Sequence, residues 1–232
     1  MKDNRVLMAE SVTEGHPDKL CDTIADAVLD ACLALDRSAH VACEVMATAG
    51  KIIAAGEITA SRLPDIPAVL CRTVREAGYG GADYEVEVIT HAQSPDIVGA
   101  VGGSGELGAG DQGIVYGYAC EETPELLPLP VVLAHRLTRL LTEARKRNRI
   151  PGICPDGKAE VAVEYRNGRP KRIAAVVVSC QHEEELELPE LRRAVMRHVI
   201  EPAFRDFPLD DETEILINPS GRFVEGGFEA DT

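Results

Sequence analysis

The stretch Glu10-Ser11-Val12-Thr13-Glu14-Gly15-His16-Pro17-Asp18-Lys19 gathers three carboxylates, an imidazole and an amine into one loop that opens into a helix. Pro17 suits the first helical position, where its missing N–H costs nothing. Asp18 then falls in the first turn, and Leu20, Ile24, Ala27, Val28, Ala31 and Leu35 continue at helical spacing. A helix N-terminus with free N–H groups beside a Lys and a His is a natural phosphate seat. The plainer alternative is an acidic first turn that complements the helix dipole, with His16 and Lys19 merely solvated. That alternative accounts for Asp18 but not for Glu10, Glu14, His16 and Lys19 crowding one loop.

Composition narrows the function classes. Among 232 residues, 24 basic against 39 acidic side chains give a net charge of −15, the opposite of a nucleic-acid surface. A polyphosphate ligand remains compatible, provided local cations and a divalent metal offset the global field. The chain is 45% hydrophobic with no Trp, so its core rests on aliphatic side chains. Seven cysteines, Cys21, Cys32, Cys43, Cys71, Cys120, Cys154 and Cys180, form no CxxC pair and sit mostly in apolar stretches. Neither a disulfide framework nor a zinc site is expected, and the reducing cytoplasm is the natural compartment. No secretory h-region and no run long enough to span a bilayer is legible, so no membrane partner is expected.

The fold class expected is α+β, built from two repeated helix–hairpin–helix–strand units. The first comprises a helix over 18–36, runs 40–48 and 51–59 about the turn Ala49-Gly50, a helix over 65–77 and a half-buried strand over 84–91. The second comprises a helix over 130–147, runs 158–165 and 171–180 about Asn167-Gly168, a helix over 188–204 and a strand over 212–218. The expected domains are 1–98 and 114–232, joined by a Gly-rich mobile loop over 99–113. Polar Gln93-Ser94-Pro95-Asp96 and Asp111-Gln112 flank that loop, as at a lid. No GxxxxGK[ST] phosphate loop is present.

The ESVTEGHPDK string at 10–19 resembles the N-terminal motif of S-adenosylmethionine synthetases (methionine adenosyltransferases). The resemblance continues in Gly56-Glu57-Ile58-Thr59, Gln93-Ser94-Pro95-Asp96-Ile97, Gly108-Ala109-Gly110-Asp111-Gln112-Gly113, Pro155-Asp156-Gly157-Lys158 and Asn218-Pro219-Ser220-Gly221-Arg222-Phe223-Val224. These six segments stand in the family's order over almost the whole chain. The resemblance implies three domains about a pseudo-threefold axis, of which this sequence carries the N-terminal and central ones. The family continues past Asp231-Thr232 into a Gly-rich segment bearing Arg and Lys and then a third unit.

The reaction implied is synthesis of S-adenosylmethionine from ATP and L-methionine. The sulfur attacks the 5′ carbon, the triphosphate leaves, and it is then hydrolysed to phosphate and pyrophosphate. Mg²⁺ and K⁺ are the implied ions. His16, Lys19 and Lys158 take the catalytic and phosphate-binding places, and the amines are compact point charges for phosphate oxygens. Asp156, Arg222, Phe223 and Asp231 match nucleotide contacts, with Phe223 suited to stacking. Glu57, Gln93, Asp111 and Asp231 match methionine contacts. Asp18 matches a Mg²⁺ ligand, Glu44 a K⁺ ligand, and Glu10 a residue near the metal. A homodimer or dimer of dimers with shared active sites is implied. Taken singly, Glu44, Glu57 and Lys158 would read as surface charges. Because phosphate-binding cations of the third unit lie outside these residues, weak or no synthetase activity is expected from them alone. The alternative reading is a truncated, inactive or partner-dependent nucleotide-binding fragment.

Overall fold

Residues 6–9 are apolar without interruption, which hides any strand period. The computed structural model, which describes residues 4–81, 83–96, 99 and 113–230, nevertheless forms a nine-residue strand there, β1 (Asn4–Val12). The sequence reading assigns no strand to this stretch. Its backbone partner lies more than 140 positions away: β1 runs antiparallel to β5 (Ile153–Arg166), from Asn4↔Arg166 to Val12↔Lys158.

That pairing decides the organisation. The mixed α+β chain forms two compact units, one of residues up to Lys19 with those from Tyr118 onward, the other of 20–117. β1 thus completes a sheet whose other strands come from the second half of the chain. α1 (Pro17–Leu35) starts at the end of this strand and loop. The expected loop over 99–113 falls almost wholly outside the described residues.

In the unit of β1, the sheet order is β1-β5-β6-β7, with β6 at Arg169–His182 and β7 at Glu214–Ile217. β5 and β6 form the hairpin that Asn167-Gly168 announces, with φ of 53° and 74° at the two turn residues. Positive φ at both positions is the geometry of the tight turn that matches strand twist. β7 runs parallel to β6. One face of this sheet takes α3 (Leu129–Lys146), burying Leu133, Leu137 and Leu141 against Val161, Val163 and Val176. His135 and Thr138 of α3 reach the Ser11 hydroxyl at 2.8 and 3.0 Å, tying the helix to β1. The opposite face presents Val6, Met8, Glu10, Lys158 and Glu160; Val6 is 53% and Met8 66% exposed.

The expected helix over 188–204 is interrupted. α4 (Leu188–Val195) passes into a π turn at Met196–Ile200 before Glu201–Ala203. Pro202 supplies the cause: its ring would meet the carbonyl four residues back and it has no N–H to give. The Glu201 N–H bonds Met196 O, five residues back.

β7 ends at a side chain that imitates backbone. Asn218 is buried, and its amide both accepts from Cys180 N and donates to Cys180 O, each at 2.9 Å. Arg192 donates to the carbonyls of Ile217 and Asn218 at 2.9 and 3.0 Å. Together these aim the following segment 219–224. Burial pushes the Cys180 thiol up to about 12, so it sits here as a small hydrophobe.

The other unit has sheet order β2-β3-β4: β2 (His40–Thr48) and β3 (Lys51–Thr59) antiparallel, β4 (Glu85–His91) parallel to β3. α1 buries Leu20, Ile24, Val28 and Cys32 completely, at steps of four. α2 (Ile66–Ala77) is capped by the Asp65 carboxylate on Ala68 N at 3.1 Å and ends at Gly78 with φ 118°. Asp36 joins α1 to the sheet by accepting from Ser38 and from Ser61 N, which holds its carboxyl well below the usual range.

Asn218→Leu removes both partners of the Cys180 peptide while keeping volume. The expected loss is about 2–4 kcal/mol, measured by denaturant unfolding; an unchanged midpoint would contradict the structural role of that amide.

Candidate functional site

The loop ahead of α1 is fixed by the edge of β5. Thr13 N donates to Gly157 O at 2.9 Å, and the Thr13 hydroxyl donates to Pro155 O at 2.7 Å. Gly15 then passes so close that an added Cβ would sit 2.3 Å from Pro155 Cβ and 2.7 Å from its carbonyl oxygen. No other residue fits there without moving backbone. His16 N closes the turn on Thr13 O at 3.1 Å.

This pinning places His16. Its Nδ1 is buried without a hydrogen-bond partner, and the nearest carboxylate, Asp18, is 3.9 Å away. Asp18 is almost fully exposed, with Lys19 also on the exposed side of the first turn. Beside them Lys158 Nζ meets Glu10 Oε2 at 2.8 Å, and Glu160 faces Glu10 across the β1–β5 pair. Glu14 departs from the cluster: it pairs with Arg145 and with Lys146 at the end of α3. Of the four residues crowded in sequence, the fold turns one away.

Charge couples the cluster. The Lys158 ammonium holds the Glu10 carboxyl below its ordinary value, chiefly through their hydrogen bond and further helped by His16 nearby. Glu10 in turn raises Lys158, with Glu160 and Asp18 adding to the effect. Glu10's share of the pair is present above the ordinary glutamate pKa and lost as pH falls through the lowered one. Lys158's share is present below the ordinary lysine pKa and lost as pH rises through the raised one. The pair is therefore intact throughout neutral pH.

The nucleotide candidates of this unit lie at different depths. Asp156 is 5% exposed and accepts from Gly227 N at 2.9 Å, so it anchors the C-terminal turn. Arg222 is exposed and reaches Glu184 at 3.3 Å. Phe223 is half-buried and held by His182, whose N donates to Phe223 O at 2.9 Å while its Nε2 accepts from Phe223 N at 3.2 Å. Asp111 and Asp231 lie outside the described residues.

In the other unit, His40, Val41, Ala42, Glu57 and Gln93 line a cavity of about 160 Å³. Both described methionine candidates, Glu57 and Gln93, are brought together there. Gly56 makes this possible: with φ 147°, its Cβ position would lie 2.0 Å from Ala42 O, so only glycine permits the strands to close beside Glu57. Gln93 N donates to Thr59 Oγ1 at 3.0 Å. Glu44 shares the open face of β2 with Ala42, two positions along, and faces Ala55. His40 was not legible as a pocket residue, since only the hairpin register and the return of the chain at Gln93 bring it to Glu57.

Among the described residues no three His, Cys, Asp or Glu side chains converge on a metal-sized site. Mg²⁺ commonly takes one or two carboxylates and completes its shell with phosphate oxygens and water. The exposed Asp18 carboxylate beside the orphaned His16 nitrogen fits that partial donor set. Glu44 would supply a single ligand to K⁺. Among the described residues no cysteine forms a disulfide and no helix is long and apolar enough to cross a membrane.

Residues 4–98 match the family described as S-adenosylmethionine synthetase, N-terminal domain, and residues 106–223 its central domain. Curated relatives include an S-adenosylmethionine synthase of Thermus thermophilus, 48% identical over 252 residues, covering 100% of this chain and 64% of the relative. Another, from Clostridium botulinum, is 45% identical over 246 residues, covering 98% of this chain and 63% of the relative. The chain thus spans somewhat under two thirds of the relatives' length.

In Lys158→Met, the Glu10 carboxyl is expected to titrate at a higher pH, moving toward the ordinary glutamate value. A ¹³C carboxyl titration reads this directly; an unmoved midpoint would show that the ion pair is not formed in solution.

Proposed function

Because this chain belongs to the S-adenosylmethionine synthetase family, we propose that it binds ATP and L-methionine and serves their conversion to S-adenosylmethionine, phosphate and pyrophosphate. The observation that carries the reading is the buried, unpartnered Nδ1 of His16, held in place by a loop pinned to β5. Such a nitrogen is costly unless a ligand meets it.

The thioether sulfur forms its bond to C5′ as the C5′–oxygen bond breaks and the triphosphate departs. No covalent enzyme intermediate is needed, so the protein aligns the reactants and stabilises charge on the leaving oxygen. His16 donates to that oxygen. Lys19 and Lys158 hold phosphate oxygens, and Glu10 pairs with Lys158 at 2.8 Å. Mg²⁺, held by Asp18 with Glu10 nearby, would neutralise phosphate charge when bound. Glu57 and Gln93 hold the amino-acid end of methionine beside His40. Phe223 offers a stacking face to adenine, while Arg222 and Asp156 serve the nucleotide, the latter through the turn it anchors. Asp111 and Asp231 join these roles on the strength of the family pattern. Glu44 is the K⁺ residue.

The finer architecture follows the same reading. Each unit runs helix, antiparallel hairpin, helix, and a strand parallel to the hairpin's second strand, which supports two copies of one repeat within a pseudo-threefold family plan. Open sheet faces carrying exposed Met8, Met46 and Ile89 support a homodimer, or a dimer of dimers, with shared active sites. Seven cysteines with no disulfide among the described residues support a cytoplasmic setting.

Mixing the chain with Mg²⁺, ATP and methionine is expected to give saturable binding of both substrates. His16→Ala and Lys158→Met should each weaken binding of inorganic tripolyphosphate by roughly tenfold to a hundredfold. Wild-type binding in both variants would overturn the assignment. Binding without turnover would favour the nucleotide-binding fragment, whereas turnover at an ordinary enzymatic rate would refute it. Met8→Lys should shift the chain toward monomer in light scattering; an unchanged mass would place the contact elsewhere.

A further inference from the structure

Among the described residues, two buried side-chain atoms have no hydrogen-bond partner: His16 Nδ1, assigned above, and Gln181 Oε1. Gln181 carries no role so far. It is 8% exposed, near the end of β6, between Cys180, which faces Gly157, and His182, which faces Ile153. It therefore lies across from the irregular stretch of β5 that contains Pro155 and Asp156.

The orientation of its amide is fixed. Nε2 donates to Val224 O at 3.0 Å, and exchanging the two amide atoms would set oxygen against oxygen. Oε1 is the atom left over. Beside it, Phe223 is strapped to His182 by two backbone-directed bonds. The ring and the amide converge on one glycine: a Cβ on Gly226 would lie 2.5 Å from Phe223 Cε2 and 3.3 Å from Gln181 Cδ. The ring edge of Phe223 and the amide that carries the uncommitted oxygen thus border the same stretch of backbone.

We propose that Gln181 is the base-reading residue of the nucleotide site, accepting a hydrogen bond at Oε1 from the exocyclic amino group of an adenine stacked on Phe223. This rests on the ATP reading above and adds to it a source of base selectivity. An acceptor buried without a partner rewards a ligand that brings a donor and penalises one that brings an oxygen. Glutamine is suited to adenine because its amide presents donor and acceptor in a plane. Here one N–H of the amide is committed to Val224, which holds the acceptor in place to read the 6-position.

Calorimetric titration of the 232-residue chain with non-hydrolysable ATP and inosine triphosphate analogues in Mg²⁺ tests this. The unmodified chain should bind the adenine compound at least about tenfold more tightly. In Gln181→Met that preference should vanish through loss of adenine affinity, the inosine affinity being little changed. Equal affinities in the unmodified chain overturn the proposal without any variant, so a misfolded Gln181→Met cannot shelter it. A preference that survives in a folded Gln181→Met also overturns it. Failure of the unmodified chain to bind either nucleotide overturns the underlying ATP reading, and this role with it.

Discussion

The contact on which the site depends is the seam between the loop at Thr13–His16 and the backbone of Pro155–Gly157. Hydrogen bonds from the Thr13 N–H and hydroxyl and the side-chain-free passage of Gly15 bring residues some 140 positions apart into backbone contact. Without that seam β1 would still pair with β5, but the imidazole of His16 would have no fixed address. With it, the start of α1, the carboxylate of Glu10 and the amine of Lys158 are set by one stretch of sheet. The cost of burying an unpaired ring nitrogen is met by the packing of the whole sheet against α3, which gives the loop no cheaper place to go.

The same economy recurs at the other end of the unit. Asn218 substitutes for a strand residue, Arg192 holds the carbonyls beside it, and His182 straps Phe223 to the sheet. Each uses a polar side chain to hold irregular backbone where no strand partner exists. Irregular segments held this firmly are where ligand-facing groups can be placed accurately.

Much of this was legible in the sequence, and the exceptions have physical causes. The helices over residues 17–35 and 129–146, both hairpins and the strand after each second helix follow from period and turn chemistry. The first strand did not, because Val6-Leu7-Met8-Ala9 is apolar on both faces and its partner is remote. The π turn was hidden because a helical period reads the same across it; only Pro202 hints at the disruption. In the site, the helix start gave His16, Asp18 and Lys19 from local signals. Glu14 was misleading, since charge in sequence does not say which way a side chain turns. The pairing of Glu10 with Lys158 and the meeting of His40 with Glu57 are consequences of strand register. Gln181 could not be singled out, because a glutamine in an apolar strand shows its worth only when its two amide atoms are found in different circumstances.

On the proposed reading, the pinned loop presents His16 to a phosphate chain. Ring ¹⁵N resonances of the histidines, followed while Mg²⁺ and inorganic tripolyphosphate are added, test it most directly. The His16 nitrogens should shift and saturate while those of His135, engaged with Ser11, stay in place. A His16 ring that remains unperturbed at saturating tripolyphosphate would contradict it.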